Sequence, residues 1–331
     1  MSDGLVSNYS SRSKNALLRD GNKRPRGFRS IFEPSSTLTS KCTSMSWLSG
    51  SKITLQQCLL LQGYPRHFAW ADASQQRGTQ VGNSVPPPVA KVVLEELLLE
   101  GENVNYAGHA VLDLFAGTGV GVACQQLGVV EHGVEKMPAA QATRKANGMG
   151  LAYDDVWDIG KAEGLKFDTL WASPPCQTFS VAGKGDGRKA LTEVLEAIRA
   201  WRWTSMESLR RLGEEVGDER TALVLTPLAY VYKFRPTFVA FEQVPAVLPV
   251  WEACAAVMRS MGYSVWVGYL HAEQYGVPQT RKRAYLIARS DGKPAQPPVP
   301  THSKYYSRDP ERLDPGVKKW VSMAEGLANA T

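Results

Sequence analysis

Val111-Leu112-Asp113-Leu114-Phe115-Ala116-Gly117-Thr118-Gly119 decides how this chain is read. A short apolar strand runs into a turn with two glycines, and a helical pattern continues to about Leu127. Such a turn lets a ligand approach the backbone at a helix N-terminus. Alone it fits many nucleotide and cofactor sites. Outward from it the alternation continues. Residues 131–135 read as a second strand, followed by a helix over 138–147. Residues 167–172 form a buried strand, 190–232 are mostly helical, and 237–241 are again a strand. A helix near 249–260 and strands at 263–270 and 284–288 close the series. This pattern predicts an α/β fold, a mainly parallel sheet with helices on both faces.

Before Ala110 the pattern differs. Residues 1–50 are polar and irregular, with a short strand expected at 36–40. Residues 54–62 read as a helix capped by Thr54 and stopped by Gly63-Tyr64-Pro65. Residues 72–83 are polar and end at Gly82-Asn83-Ser84. Pro86-Pro87-Pro88 then opens a helix that continues from Val89 to Leu99. Residues 290–300 are proline-rich and read as a linker.

The 331 residues allow one large domain with a smaller one, or two of ordinary size. No apolar run is long enough to span a bilayer, and Met1-Ser2-Asp3-Gly4 lacks a signal-peptide layout. The cysteines Cys42, Cys58, Cys124, Cys176 and Cys254 form no CxxC pair, and no histidines sit at metal-ligand spacing. A reduced cytoplasmic compartment and no metal site are expected. Formal net charge is +6, and much of the excess lies in Arg12, Lys14, Arg19, Lys23, Arg24, Arg26 and Arg29. That segment is either a solvated tail or a phosphate-binding arm.

The chemistry concentrates at strand ends. Ser173-Pro174-Pro175-Cys176-Gln177-Thr178-Phe179-Ser180 puts a cysteine just after a buried strand, with its backbone restricted by two prolines. This suits a nucleophile whose thiolate is activated; a structural cysteine is the plain alternative. Glu135 ends the second strand, where a carboxylate can accept ribose hydroxyls, and Asp158 is expected to follow the third. Each taken singly could equally be a helix-capping acid. Glu242 ends the 237–241 strand. In Gln279-Thr280-Arg281-Lys282-Arg283 both arginines are expected on one side of an extended segment, suited to phosphate and a base carbonyl. Gly183-Lys184-Gly185-Asp186-Gly187-Arg188 reads as a loop closing over a substrate, or as a surface turn.

The set of motifs resembles the cytosine-C5 DNA methyltransferases over roughly residues 53–290: residues 113–119, 174–180, 242–244, 279–283, Leu61-Gln62-Gly63-Tyr64-Pro65, and Gly82-Asn83-Ser84-Val85-Pro86. The resemblance implies a class I S-adenosylmethionine-dependent (Rossmann-like) fold with a small target-recognition domain. It implies Cys176 as nucleophile attacking C6 of a flipped cytosine. Glu242 would contact N3 and the amino edge, Arg283 the base carbonyl, and Arg281 the loop or phosphate. Phe115, Gly117, Thr118, Gly119, Glu135, Asp158, Pro174, Asn83 and Ser84 would line the S-adenosyl-L-methionine pocket. The partner implied is double-stranded DNA, in a bacterial or phage setting near the nucleoid, with a monomer expected. An RNA cytosine methyltransferase of the same fold and a catalytically silent DNA-binding subunit are the competing readings.

Two departures stand out. Gln243 replaces the family's usual Asn after the glutamate, at a position that orients neighbours. The 61–65 and 82–86 segments, which normally end the chain, here precede the glycine turn. The order resembles a circular permutation, a change tolerated where new ends are exposed. The expected organisation is then 1–52 as part of the recognition region, 53–100 as motifs completing the catalytic domain, 101–290 as the catalytic domain, and 291–331 as linker and start of the recognition region. A second chain is the alternative source of the missing recognition surface.

Overall fold

The computed structural model describes residues 4–6, 16–17, 23–24, 28–71, 76–99, 106–175 and 185–328. The chain separates into two compact units: Met1–Ala90 with His271–Arg281 and Val299–Thr331, and Lys91–Leu270 with Lys282–Pro298.

The first unit carries β1 (Gly4–Val6), β2 (Ala16–Leu17), β3 (Lys23–Arg24), β4 (Phe28–Ser30) and β5 (Ser46–Trp47). β1 pairs antiparallel with β4 and with β5, and β2 with β3. Helix α1 (Leu55–Gln62) begins as expected. The Thr54 hydroxyl accepts from the Gln57 N–H while the Gln57 side chain accepts from the Thr54 N–H, and Gly63 closes it at φ 87°. Within the polar stretch 72–83, to which the sequence assigns no element, residues 77–83 form α2 (Arg77–Asn83). The buried faces of Gln80, Val81 and Gly82 hold this short polar helix where local pattern gave no signal. Gly82 is required there, because a Cβ would lie 2.0 Å from the Thr39 carbonyl carbon.

The strand expected at 36–40 is replaced by a single parallel bridge, Ser35 to Gln279. The extended chain beyond it is held by side chains instead: Leu38 N–H donates to Gln279 Oε1 at 2.8 Å and the Thr37 hydroxyl to the Thr280 carbonyl at 2.6 Å. Near the other end, Met323 N–H donates to Glu33 O and Ala324 N–H to Ile31 O. Both ends of the chain therefore fold into one unit. Helix α3 (Pro87–Leu98) follows, opened by its prolines.

The second unit is built on β6 (Ala110–Leu114), β7 (Val130–Val134), β8 (Thr169–Ala172), β9 (Phe238–Gln243), β10 (Ser264–His271) and β11 (Lys282–Arg289), in the order β10-β11-β9-β8-β6-β7. β7, β6, β8 and β9 are parallel, and β11 runs antiparallel to β9. The helices are α4 (Gly119–Leu127), α5 (Pro138–Ala146), α6 (Gly185–Arg199), α7 (Met206–Val216), α8 (Glu219–Leu223), α9 (Thr226–Phe234) and α10 (Leu248–Ser260). Leu112, Leu114, Leu170, Val239 and Phe241 form one core with Val194 and Ile198 of α6, Tyr230 of α9 and Trp251 of α10. The side chains of Asp113 and Trp171, being offset by one residue, take the opposite face. This is the doubly wound, mainly parallel fold expected. Two local expectations fail. Asp158 follows a lone bridge between Val134 and Tyr153, not a strand, since the chain turns into a short 3-10 helix at Ile159–Ala162. Residues 185–188, expected in a loop, are the first turn of α6; Gly183 and Lys184 lie outside the described residues.

Candidate active site

The register places the chemistry. Leu114 aligns with Val134 and with Ala172, and Ala172 aligns with Phe241. The residues that follow each parallel strand therefore emerge along one edge: 115–119 after β6, Glu135 after β7, 173–175 after β8, and Glu242 at the end of β9. Such an edge is where ligands bind in open α/β sheets. Because β11 is antiparallel, with Tyr285 opposite Glu242 and Ala284 opposite Gln243, its first residues return to that edge. Arg283 Nε consequently sits 3.2 Å from Glu242 Oε1, with both side chains largely buried.

The glycine turn is tightly specified. Phe115 has φ 60° and Gly117 φ 46°, so two residues within three take left-handed backbone. At Gly117 a Cβ would meet nothing within 4 Å, so the glycine answers to φ and leaves open space above the turn. Its N–H donates to Glu135 Oε2 at 2.8 Å, while Glu135 Oε1 accepts the Met137 N–H at 2.7 Å. Glu135 is thus a fixed acceptor, held by two backbone N–H groups, one in the glycine turn and one just before α5. Thr118 is buried and precedes α4. Asp158 is half-exposed, its carboxylate 2.9 Å from Lys161 Nζ.

Pro174 is buried beyond β8, and its carbonyl accepts from the Gln243 amide, whose oxygen takes the Val244 N–H. The longer Gln therefore does what was expected of that position: it ties the end of β9 to the proline segment before the cysteine. Cys176 itself lies outside the described residues. The other cysteines, Cys42, Cys58, Cys124 and Cys254, are buried, and burial pushes the Cys254 thiol up to about 12.

The two arginines of 279–283 have different fates. Arg281 is 2% exposed and belongs to the first unit. Its guanidinium donates to the carbonyls of Leu38, Gly82 and Ser84 at 3.0–3.1 Å. It supports loops and is not presented toward a phosphate, because three carbonyls use its donors. Asn83 and Ser84 lie in the same unit, with Ser84 O also accepting from Gln62 at 2.8 Å.

Sequence reasoning missed one cluster. Asp113, Glu131 and Arg144 are buried together behind the glycine turn, Arg144 Nη2 lying 2.9 Å from Glu131 Oε2. The available signal was a pair of opposite charges at core-facing positions, one in a strand and one among the buried residues Ala139, Ala140 and Thr143 of α5. Burial, then the Glu131 charge, pushes the Asp113 carboxyl well above the usual carboxylate range, with Arg144 opposing. The folded state therefore keeps this proton to higher pH than the unfolded chain does. Stability from it is fully present below about pH 4 and is lost as pH rises toward the folded value, by at most about 1.4 kcal/mol per pH unit. Asp113→Asn cannot titrate. Its stability relative to the parent should rise as pH is raised above about 4 in urea unfolding, because only the parent loses a proton-linked contribution there. A difference that stays level with pH would show that Asp113 is ionised like any carboxylate.

The C-5 cytosine-specific DNA methylase profile matches residues 3–99, 109–200 and 208–322. The chain belongs to that family. It is 28% identical over 187 residues to the type II methyltransferase M.AplI of Arthrospira platensis, covering 54% of this chain and 45% of that protein. It is 28% identical over 150 residues to the type II methyltransferase M.AgeI of Thalassovita gelatinovora, covering 44% and 28%. The matched stretch is thus less than half the length of either relative. A solved S. pombe Dnmt2 methyltransferase superposes with TM-score 0.39 at 18% identity, over 61% of this chain and 52% of that one.

Proposed function

We propose that this chain is a DNA (cytosine-5-)-methyltransferase using S-adenosyl-L-methionine. The observation that carries it is the convergence of the glycine turn, Glu135, the proline segment before Cys176, and the Glu242–Arg283 pair on one sheet edge. The residues fit the cofactor: Gly117 leaves room above the turn, and Glu135 is a fixed carboxylate of the kind ribose hydroxyls donate to. Phe115, Gly117, Thr118, Gly119, Glu135 and Pro174 would hold it. Asp158 joins them by releasing Lys161, while Asn83 and Ser84 are assigned by the family resemblance. When bound, the cofactor supplies an electrophilic methyl group.

The chain's own part is to make cytosine C5 nucleophilic. Cys176 thiolate adds to C6, the C5–C6 π electrons move through C4 toward N3, which takes up a proton from water, and the Glu242 carboxylate accepts from that N3–H and from the amino group until N3 gives the proton back on elimination. Arg283 holds the Glu242 carboxylate in place and donates to the base carbonyl. After methylation C5 loses its proton to a base, and the electrons of that C–H bond expel the thiolate. The target must leave the base stack, which costs about a few kcal/mol. Transfer to duplex DNA but not to tRNA is the expected result; the reverse would favour the RNA reading, and transfer to neither by a chain that binds the cofactor would favour a silent subunit.

The motif order supports a circular permutation, and so does the co-folding of both chain ends in the first unit. We read residues 1–52 and 291–331 as parts of the target-recognition region, with 53–100 completing the catalytic domain of 101–290. Since β1 is a strand of the first unit's sheet, the basic segment is better tested by charge removal than by deletion. Changing Arg12, Lys14, Arg19, Lys23, Arg24 and Arg26 to Gln should weaken duplex binding. It should also flatten the log–log salt dependence by about 0.9 for each phosphate that is no longer neutralised. An unchanged slope would mark the segment as a solvated tail. Among the described residues no helix is long and apolar enough to cross a membrane, and a cytoplasmic, nucleoid-associated place is part of this reading.

A further inference from the structure

Three ionisable groups that the proposed chemistry does not use are sealed behind the glycine turn. Asp113 is 1% exposed and the Arg144 side chain 0%. Arg144 Nη2 meets Glu131 Oε2 at 2.9 Å and Gly150 O at 2.5 Å, Nε donates to Gly150 O at 3.2 Å, and Nη1 donates to Gly117 O at 3.0 Å. Space for this is made by glycines. A Cβ at Gly133, which sits opposite Asp113 in the sheet, would lie 2.0 Å from Arg144 Nη2, and one at Gly121 would lie 2.9 Å from Glu131 Oε2. The arrangement is thus accommodated by the sequence on both β7 and α4.

A buried ion cluster is weak evidence for stability, because desolvation offsets the attraction. This one reaches the site through the Gly117 carbonyl. We propose that Arg144 is a positioning residue for the glycine turn: held from behind by Glu131, it grips the Gly117 carbonyl and so sets the shape in which residues 115–119 meet the cofactor. Both peptide units that meet at Gly117 are then held, the first through its N–H by Glu135 and the second through its carbonyl by Arg144. Two left-handed residues flank Ala116, and the clamp offsets the strain of holding them. Asp113 closes the cluster from beneath. Asp113 and Glu131 present carboxyl oxygens with no donor of their own, so a proton between them completes the bonding and leaves the cluster neutral. Cys124 and Glu135 are the other titratable groups that face it.

The identity of the ligand rests on the methyltransferase reading; the clamp itself does not. Glu131→Met/Arg144→Met removes the ion pair and fills its volume with apolar side chains, a change that often leaves stability level or higher. Two readouts follow: S-adenosylmethionine affinity by calorimetry, and hydrogen exchange of the 116–119 amides without ligand. The clamp predicts an affinity about tenfold weaker, and exchange at 116–119 about tenfold faster, with the midpoint of thermal unfolding unchanged. Should the double variant not fold, Arg144→Lys keeps the charge but lacks the planar fork, and the same loosening is expected. Unchanged exchange of the turn in a folded variant overturns the clamp. A parent chain that binds no S-adenosylmethionine while its turn loosens on substitution sinks the cofactor reading and leaves the clamp standing.

Discussion

A Cys176→Ser chain will transfer no measurable methyl group to duplex DNA, a loss on the order of a thousandfold or more, and will bind S-adenosylmethionine as the parent does. The reason is chemical. Serine's hydroxyl has nearly the thiol's size but is scarcely ionised near neutrality, and C6 of cytosine needs a strong, polarisable nucleophile. Residues 115–119 and Glu135, proposed above to hold the cofactor, follow other strands than Cys176 does, so cofactor binding should survive. An oligonucleotide with 5-fluorocytosine at the target should trap the parent covalently, since fluorine at C5 blocks the final elimination. Mass spectrometry should place the adduct on Cys176. An adduct on Cys42, Cys58, Cys124 or Cys254, or turnover by the serine variant, would refute the assignment; the burial of those four thiols argues against them as nucleophiles.

Glu242→Gln should lower kcat by about a hundredfold. Glutamine fills the same space but cannot carry the negative charge that pairs with a protonated N3 edge. It also strips Arg283 of its carboxylate partner at 3.2 Å, and removing one member of a largely buried pair costs up to about 3–5 kcal/mol. The two effects separate by a second substitution. In Glu242→Gln/Arg283→Gln both charges leave together, so thermal stability should return most of the way to the parent while activity stays lost. Activity that recovers along with stability would mean that Glu242 matters only as a partner for Arg283. A KM that rises without a change in kcat would assign Glu242 to ground-state binding.

Sequence periodicity and punctuation carried the second unit's parallel sheet because those signals are local. A strand of five residues, a turn that demands left-handed backbone and a helix starting at Gly119 are each specified within a few positions. Thr54, Gln57 and Gly63 bracket α1 for the same reason. Weaker local signals did not suffice: α2 is polar and short, and its helix is formed by what its buried face meets. The site divides in the same way. Glu135, Pro174 and Glu242 follow from their place at strand ends.

The separate fates of Arg281 and Arg283 do not. They are two residues apart, yet the acceptors of Arg281 lie 197 to 243 residues away in sequence, while Arg283 enters an antiparallel strand that returns it to Glu242. The cluster behind the turn is of this kind too. Asp113 sits in β6, Glu131 in β7 and Arg144 in α5, each an ill-placed charge when read alone. Sequence by itself determined most strands, turns and helices of the second unit, because short-range sterics and amphipathic period act within a few residues. Only tertiary structure decided which buried charges share a partner, because desolvated polar groups must find donors and acceptors wherever the fold brings them.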